Sequence, residues 1–343
     1  MKTSLFQKKL LNWYRVHQRV LPWRLTKDPY KILVSEIMLQ QTQVDTVIPY
    51  YERWVARFPD FETLANAKES EVLKFWQGLG YYRRAKMLHR NAQEVHTRFQ
   101  GKLPQSPKEL IQLPGIGRYT AGAVASIAFN KKAPLVDGNV IRILTRLFAI
   151  SENIADKKTV DFLWELAEKI LPEKSVGDFN QALMELGATI CFPRVPQCGN
   201  CPVSSLCQAH ALQKALSFPV KSPNVKITKL KEFAFVLRDK QNRLLVRKQK
   251  TGERWDGLWT LPHFKNLKAG LLEFGLKNSA LKKLRADQHG FTRYQITLNT
   301  FIAQTPYRKN SIQAAYEWMS RREIKKVAFP TVYQKILNEV FEP

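Results

Sequence analysis

The sequence is short of acid: its 343 residues carry 29 Asp and Glu against 55 Lys and Arg, a formal net charge of +26. Long apolar runs are also missing. No stretch approaches the roughly 18–20 residues that cross a bilayer, so no membrane partner is expected. Leu5 and Phe6 are followed at once by Gln7, Lys8 and Lys9, which leaves no apolar core for a secretory leader. The expected compartment is the cytoplasm, beside the nucleoid. Cysteine is scarce, four in all, which excludes a disulfide scaffold. What the chain does hold is 44% hydrophobic and 11% aromatic residues, enough to exclude disorder. At about 100–200 residues per domain, two domains are expected.

The positive charge is distributed. Residues 1–217 hold 30 basic and 19 acidic side chains, and 218–343 hold 25 and 10. Both halves should face a polyanion, and phosphate backbones are the usual partner of such a surface. A basic protein with no nucleic-acid role would show the same excess, so charge alone does not decide.

Residues 1–217 read as helical. Asp28 before Pro29 is a cap and a first-turn proline opening the run Tyr30 to Gln41. Apolar residues recur at helical spacing in 44–58, 71–79, 85–95, 121–129, 140–150 and 160–171. Ser217 to Asn224, with Pro219 and Pro223, reads as the start of a linker placed at 218–230. In 231–343 the pattern changes to short runs rich in β-branched or aromatic residues: Phe233–Leu237, Leu244–Val246, Leu258–Leu261 and Tyr294–Phe301. Ser320–Ile324 and Tyr333–Val340 read as helices. The expected fold is therefore a mainly α domain at 1–217 followed by an α+β domain at 231–343.

All four cysteines fall in seventeen residues, as Cys191, Cys198, Cys201 and Cys207, a spacing of C-x6-C-x2-C-x5-C. Thiolates gathered this way bind a soft metal, one zinc or a four-iron cluster. Only Cys198–Cys201 is a C-x2-C pair, whereas zinc modules usually show two, so the spacing favours iron–sulfur. His210 nearby reads as solvated.

Residues 113–117 are Leu-Pro-Gly-Ile-Gly, between candidate helices at Ser106–Gln112 and Arg118–Phe129. Gly115 and Gly117 allow backbone conformations that side chains forbid. Such a turn aims amide N–H groups outward beside a helix N-terminus, which suits one DNA phosphate; an ordinary helix–turn–helix corner is the bland alternative. Twenty residues beyond Gly117 lies Asp137, in Pro134-Leu135-Val136-Asp137-Gly138-Asn139. Here the chain resembles the helix-hairpin-helix DNA glycosylase superfamily, and its cysteine spacing resembles the endonuclease III branch. Leu21-Pro22-Trp23-Arg24, Ser35-Glu36-Ile37-Met38-Leu39-Gln40-Gln41-Thr42-Gln43 and Gly78-Leu79-Gly80-Tyr81-Tyr82 look like the adenine DNA glycosylase (MutY) family, whose members remove adenine mispaired with 8-oxoguanine. The resemblance covers essentially the whole chain and is strongest in 20–210. It implies a helix-hairpin-helix glycosylase domain whose four cysteines hold a 4Fe-4S cluster, followed by a Nudix-like domain.

Breaking an N-glycosidic bond calls for an acid to protonate the leaving base and an anion to stabilise the sugar cation. Glu36 sits among Ile32, Leu33, Val34, Ile37, Met38 and Leu39, where desolvation favours its protonated form. The resemblance makes it the general acid. Asp137 is expected to stay ionised and to stabilise the cation, directly or through a transient covalent bond. It can also cap the helix that starts at Asn139 or Val140. Asn139 looks like the asparagine that positions this machinery. Bifunctional relatives carry at position 119 a lysine that forms a Schiff base. This chain has Tyr119, expected to hydrogen-bond near Asp137, so the implied enzyme is monofunctional.

The target base must leave the stack. By resemblance Trp23 and Arg24 line the adenine pocket, with Gln181 a further candidate. Gln41, Thr42 and Tyr81 look like the residues that fill the gap and touch the opposite base. The C-terminal domain lacks the G-x5-E-x7-R-E-x2-E-E run of nucleoside triphosphate hydrolysis, so it is expected to read the lesion and not to hydrolyse. The family's Phe-Ser-His loop corresponds to Phe291-Thr292-Arg293, with arginine where the histidine stands. The expected partner is duplex DNA carrying adenine opposite 8-oxoguanine or guanine, met by a monomer. Two readings compete: a thymine or uracil mismatch glycosylase of the same superfamily, and a non-enzymatic DNA-binding protein with a metal cluster. Glu36 and Asp137 argue against the second, since a mere binder needs neither.

Overall fold

Caps and apolar periodicity set where the chain turns into helix. The computed structural model describes residues 2–222, 227–291, 293–304 and 315–342. Its helices are α1 (Thr3–His17), α2 (Pro29–Leu39), α3 (Val44–Arg57), α4 (Phe61–Ala65), α5 (Glu69–Trp76), α6 (Arg83–Phe99), α7 (Pro107–Leu110), α8 (Arg118–Phe129), α9 (Gly138–Leu147), α10 (Lys157–Lys169), α11 (Val176–Thr189), α12 (Gln208–Ala211), α13 (Leu267–Phe274), α14 (Arg321–Ile324) and α15 (Thr331–Phe341). Asp28 accepts from the Tyr30 N–H at 2.9 Å, Asp60 from Thr63 at 2.7 Å and Asp137 from Val140 at 2.7 Å. Each side-chain oxygen satisfies a first-turn donor that the helix leaves open.

Contacts divide the chain into two units, residues 1–66 with 87–223, and residues 67–86 with 224–343. In the first, α2 and α8 are apolar on nearly every face and run through the core: Ile32, Leu33, Val34, Ile37 and Met38 are buried, as are Ala121, Ala123, Val124 and Ala125. Small residues let neighbours approach. A Cβ at Gly122 would stand 2.0 Å from the Pro134 carbonyl oxygen, and one at Gly177 of α11 would stand 2.5 Å from that of Ser126. Glycine is therefore required at both contacts.

The second unit is a sheet with helices. Its strands are β1 (Thr228–Arg238), β2 (Leu244–Lys248), β3 (Trp259–Thr260), β4 (His263–Phe264), β5 (Lys282–Phe291), β6 (Tyr294–Gln304) and β7 (Tyr316–Met319). The order is β3-β2-β1-β6-β5, with β4 also on β1 and β7 on β2. β1 and β6 run parallel, pairing Phe233 with Asn299, and β5 runs antiparallel to β6. Alternation along β1 serves two cores. Ala234 and Val236 pack with Tyr333, Ile336 and Leu337 of α15, whereas Phe235 and Leu237 pack with Phe274 of α13.

The expected α and α+β classes are those observed. The differences are local. The sequence pattern does not announce α1, α4, α11, α12 or α13, nor β4, β7 or β5, and the β5 sequence KKLRADQHGF is polar because it is an edge strand with much of its surface in water. The 258–261 run yields only the two-residue β3, because Pro262 cannot continue the ladder. The 71–79 helix ends at Trp76, because Gly78 and Gly80 take φ of 110° and 71°. Among the described residues no helix is long and apolar enough to cross a membrane.

Candidate active site

Glu36 occupies the middle of α2, and the core closes over it. Desolvation, the largest influence, pushes its carboxyl up to about 7; the nearby Asp137 charge adds to the rise, while Tyr119 and Arg24 oppose it. The Tyr119 hydroxyl donates to Glu36 Oε2 at 2.7 Å and also lies 3.2 Å from the Met184 sulfur. The expected hydrogen bond near Asp137 thus has Glu36 as its acceptor, with the Asp137 charge close enough to act on the same hydroxyl. The second position of α8 aims it across at α2. Burial raises the Tyr119 hydroxyl well above its ordinary range, so it stays a neutral donor.

Asp137 is the N-cap of α9. Its Oδ1 accepts from the Val140 N–H at 2.7 Å and its Oδ2 from Asn139 Nδ2 at 3.0 Å. Burial raises its carboxyl, and those two donors and Arg142 pull it back. The capping role and the proximity to Glu36 hold together. Asn139 is itself held: Arg142 Nη2 donates to its Oδ1 at 2.8 Å and to the Gly187 carbonyl at 2.8 Å. Gly187 makes the fit possible, since a Cβ there would stand 2.5 Å from the Asn139 Cβ.

Trp23 and Arg24 lie in a short 3-10 turn, Pro22–Arg24. Trp23 is buried with its ring edge-on to Tyr51 at 5.3 Å. Arg24 donates to Glu185 Oε2 at 2.7 Å, and Arg19 grips the same carboxylate through Nε at 2.8 Å and Nη2 at 2.9 Å. Against the cost of burial, Arg19 first and then Arg24 hold the Glu185 carboxyl down to about 2. Gln181 is buried on α11, three residues from Met184 and therefore on the same helix face. Glu36, Tyr119, Asp137, Asn139 and Arg24 thus interact with one another, directly or through charge.

At the hairpin, Gly115 takes φ of 77°, and a Cβ there would stand 2.6 Å from that of Met87. Gly117 does not: it is extended at φ −94° as the N-cap of α8, and a Cβ there would meet nothing within 4 Å. Gln41 (φ 58°) and Tyr81 (φ 46°) are left-handed without being glycine, a conformation found disproportionately at functional sites. Gln41 is exposed and Thr42 half-buried, its hydroxyl 3.4 Å from the Gln40 carbonyl. Tyr81 is exposed and belongs to the second unit. In that unit, Phe291 ends β5 and Arg293 Nη2 lies 3.3 Å from the Tyr294 hydroxyl. Thr292, and the side chain of Phe291, lie outside the described residues.

The four cysteines are all half-buried with free thiols. Burial, with smaller contributions from the other three thiols, pushes Cys201 up to about 12, so the four lie close enough to feel one another. Arg146 Nη1 donates to Cys191 Sγ at 3.2 Å and to the Phe192 carbonyl at 2.7 Å. Among the described residues no three His, Cys, Asp or Glu side chains converge on a point where one ion would sit. The candidate is the four-thiol set as a whole, and its donor chemistry, with an arginine against the thiols, fits an anionic thiolate-bound cluster.

A family model for the HhH-GPD superfamily of base excision DNA repair proteins matches residues 34–169, and a NUDIX domain model matches 233–339. Adenine DNA glycosylase of Buchnera aphidicola (subspecies Acyrthosiphon pisum) is 35% identical over 345 residues, 98% of each chain. The chain belongs to the adenine DNA glycosylase family. Membership makes it an N-glycosyl hydrolase of base-excision repair that releases adenine. The adenine DNA glycosylase of Rattus norvegicus is 47% identical over 234 residues, 65% of this chain and 45% of its own. Among solved structures, a thermostable thymine-DNA glycosylase matches with 36% identity and a TM-score of 0.57, over 62% of this chain and 97% of its own. Family members of this branch typically carry an iron–sulfur cluster.

Sequence reasoning missed Glu185, Arg142 and Arg146. Glu185 had a visible signal: it is a lone acid inside the apolar run Ala182-Leu183-Met184-Glu185-Leu186. The two arginines gave none, because most of their partners are backbone carbonyls brought from 40 or more residues away.

Proposed function

We propose that this enzyme removes adenine mispaired with 8-oxoguanine or guanine in duplex DNA, without cutting the backbone. The observation that carries the reading is the buried contact of Glu36 with Tyr119, beside an Asp137 held by helix-terminal donors. A carboxyl near 7 is protonated often enough at neutral pH to act as an acid. Glu36 gives its proton to a ring nitrogen of the flipped adenine as the C1′–N bond breaks, and the bonding pair leaves with the base. The sugar becomes an oxocarbenium-like cation. Asp137, ionised, faces that charge directly or bonds C1′ transiently. Water then adds to C1′, Glu36 accepts its proton, and an abasic site remains. Tyr119 has no amine and forms no imine, so the strand stays intact. Asn139 orients Asp137.

Trp23, Arg24 and Gln181 are assigned to the adenine pocket. Gln41, Thr42 and Tyr81 are assigned to the gap and the opposite base, where an aromatic wedge suits the task. The turn at Gly115 and Gly117 is assigned to a phosphate, and Phe291, Thr292 and Arg293 to the lesion. Cys191, Cys198, Cys201 and Cys207 would hold a 4Fe-4S cluster, which when bound supplies charge and cross-links to the loop between them. A net charge of +26 supports a duplex partner. We take the enzyme as a monomer.

The test is strand cleavage of a labelled duplex with one adenine opposite 8-oxoguanine, with and without hot alkali. Cleavage at that adenine only after alkali is expected. Cleavage without alkali would overturn the monofunctional reading. No cleavage by protein that binds the duplex would move the assignment to a different mismatch, thymine or uracil first, or to a binder.

A further inference from the structure

Tyr81 stands on a turn that is shaped from two sides. Residues 77–82 link α5 to α6, with Gly78, Gly80 and Tyr81 all at positive φ. From inside, Trp76 Nε1 donates to the Gly80 carbonyl at 3.0 Å. Arg84 Nη2 donates to that of Leu79 at 3.2 Å, and its guanidinium lies 5.6 Å from the Tyr81 ring. The other side is the C-terminal part of the same unit. The Tyr82 hydroxyl donates to the Phe329 carbonyl at 3.1 Å. Lys74 Nζ donates to the Val327 carbonyl at 3.1 Å, and the Phe329 N–H donates to Gln77 Oε1 at 3.4 Å.

A second grip lies where α6 begins. Lys86 is buried, and its Nζ contacts Asp256 Oδ1 at 2.7 Å and Glu69 Oε1 at 3.2 Å. Gly257, at φ 79°, leaves room for it, since a Cβ there would stand 3.0 Å from that Nζ. One lysine thus ties α5, α6 and the Asp256-Gly257 turn together. A left-handed, exposed tyrosine costs backbone energy and persists only where its surroundings over-determine it. Here part of those surroundings, Asp256 and the Val327–Phe329 segment, comes from residues more than 150 positions away.

We propose that Asp256 and the Val327–Phe329 segment are positioning residues for Tyr81, so that the C-terminal part of the chain sets how the base opposite adenine is read. The proposal rests on the assignment of Tyr81 to that base. Asp256 touches no reacting atom; it acts through Lys86 on the helix that starts just after the turn. The Nudix-like domain would then act on base discrimination by a second route, separate from its own lesion loop at 291–293.

The experiment uses the full-length enzyme and single-turnover base release from two duplexes, adenine opposite 8-oxoguanine and adenine opposite guanine. The readout is the ratio of the two rates, which a general loss of stability would leave unchanged. Asp256→Asn is expected to lower the ratio roughly three- to tenfold, Asp256→Glu to restore most of it, and Tyr82→Phe to lower it less. Added to Tyr81→Ala, Asp256→Asn should bring no further loss. If Tyr81→Ala lowers the ratio but neither Asp256→Asn nor Tyr82→Phe does, the positioning proposal is wrong and the Tyr81 assignment stands. Losses that multiply in the double variant overturn it equally. If Tyr81→Ala itself leaves the ratio unchanged, the assignment of Tyr81 fails and the proposal falls with it.

Discussion

The rate of base release should fall on the alkaline side with an apparent pKa of about 7, the value to which burial pushes Glu36. Only the protonated carboxyl can donate to adenine. Half is protonated at pH 7, and each unit above removes roughly another factor of ten. Tyr119 cannot be the source of that limb, because its hydroxyl ionises far higher. It does set the limb's position. Its donation to Oε2 at 2.7 Å stabilises the carboxylate, so Tyr119→Phe removes support from the anion and raises the Glu36 pKa. A hydrogen bond to a charged group contributes about 1.5–3 kcal/mol, and one pKa unit is about 1.4 kcal/mol. The alkaline limb should therefore move up by roughly one to two units. The assay is single-turnover release from an adenine·8-oxoguanine duplex, quenched in alkali, from pH 5 to 10 at fixed ionic strength. A profile flat from pH 6 to 9 would refute Glu36 as the proton donor. A limb moved down by Tyr119→Phe would refute the account of what tunes it.

Three further outcomes are expected. Glu36→Gln should abolish base release yet stabilise the fold more at pH 8 than at pH 5. The wild-type carboxyl goes from about 4.5 unfolded to about 7 folded, so the folded state binds the extra proton. Stability is then lost as pH rises between those values, by about 3 kcal/mol. Denaturation midpoints of both proteins at both pH values check this, and an equal gain at the two would contradict it. Gly187→Ala should drive a Cβ into Asn139 and slow release on the order of tenfold to a hundredfold while duplex binding persists; wild-type rates would show that Asn139 need not sit where it does. The purified enzyme should show the broad visible absorption of an iron–sulfur chromophore, and colourless, active protein with stoichiometric zinc would assign the four cysteines to that metal instead.

Most of the site was legible because its residues declare themselves locally. Glu36 lies in a stretch, 32–39, that is apolar except for Ser35 and itself, so its burial follows from its neighbours in sequence. Asp137 precedes Gly138 and an apolar repeat, so its capping role does too. What could not be read depends on distance along the chain. Tyr119 could be placed on α8, but its partner depended on how α8 crosses α2. The grip of Arg19 and Arg24 on Glu185 joins residues more than 160 apart. β5 was hidden for a different reason: an edge strand needs an apolar face only where it meets the core, and KKLRADQHGF has little.

Under the proposed roles, the two carboxyls need two backbone settings and not merely two acids. Both are buried, and both are raised by burial. Glu36 sits mid-helix in α2, away from the first turn and its open N–H groups. Among the described residues its one hydrogen-bonding side chain is Tyr119. Asp137 sits at the end of α9, where unpaired N–H groups and the positive end of the helix dipole favour an anion, and Asn139, braced by Arg142, adds another donor. When one proton is shared between two such sites it goes to the carboxyl with fewer donors. That leaves Glu36 neutral and able to give a proton, and Asp137 charged and able to face a cation. The division follows from where each residue falls on its helix, and exchanging the two settings would exchange the roles.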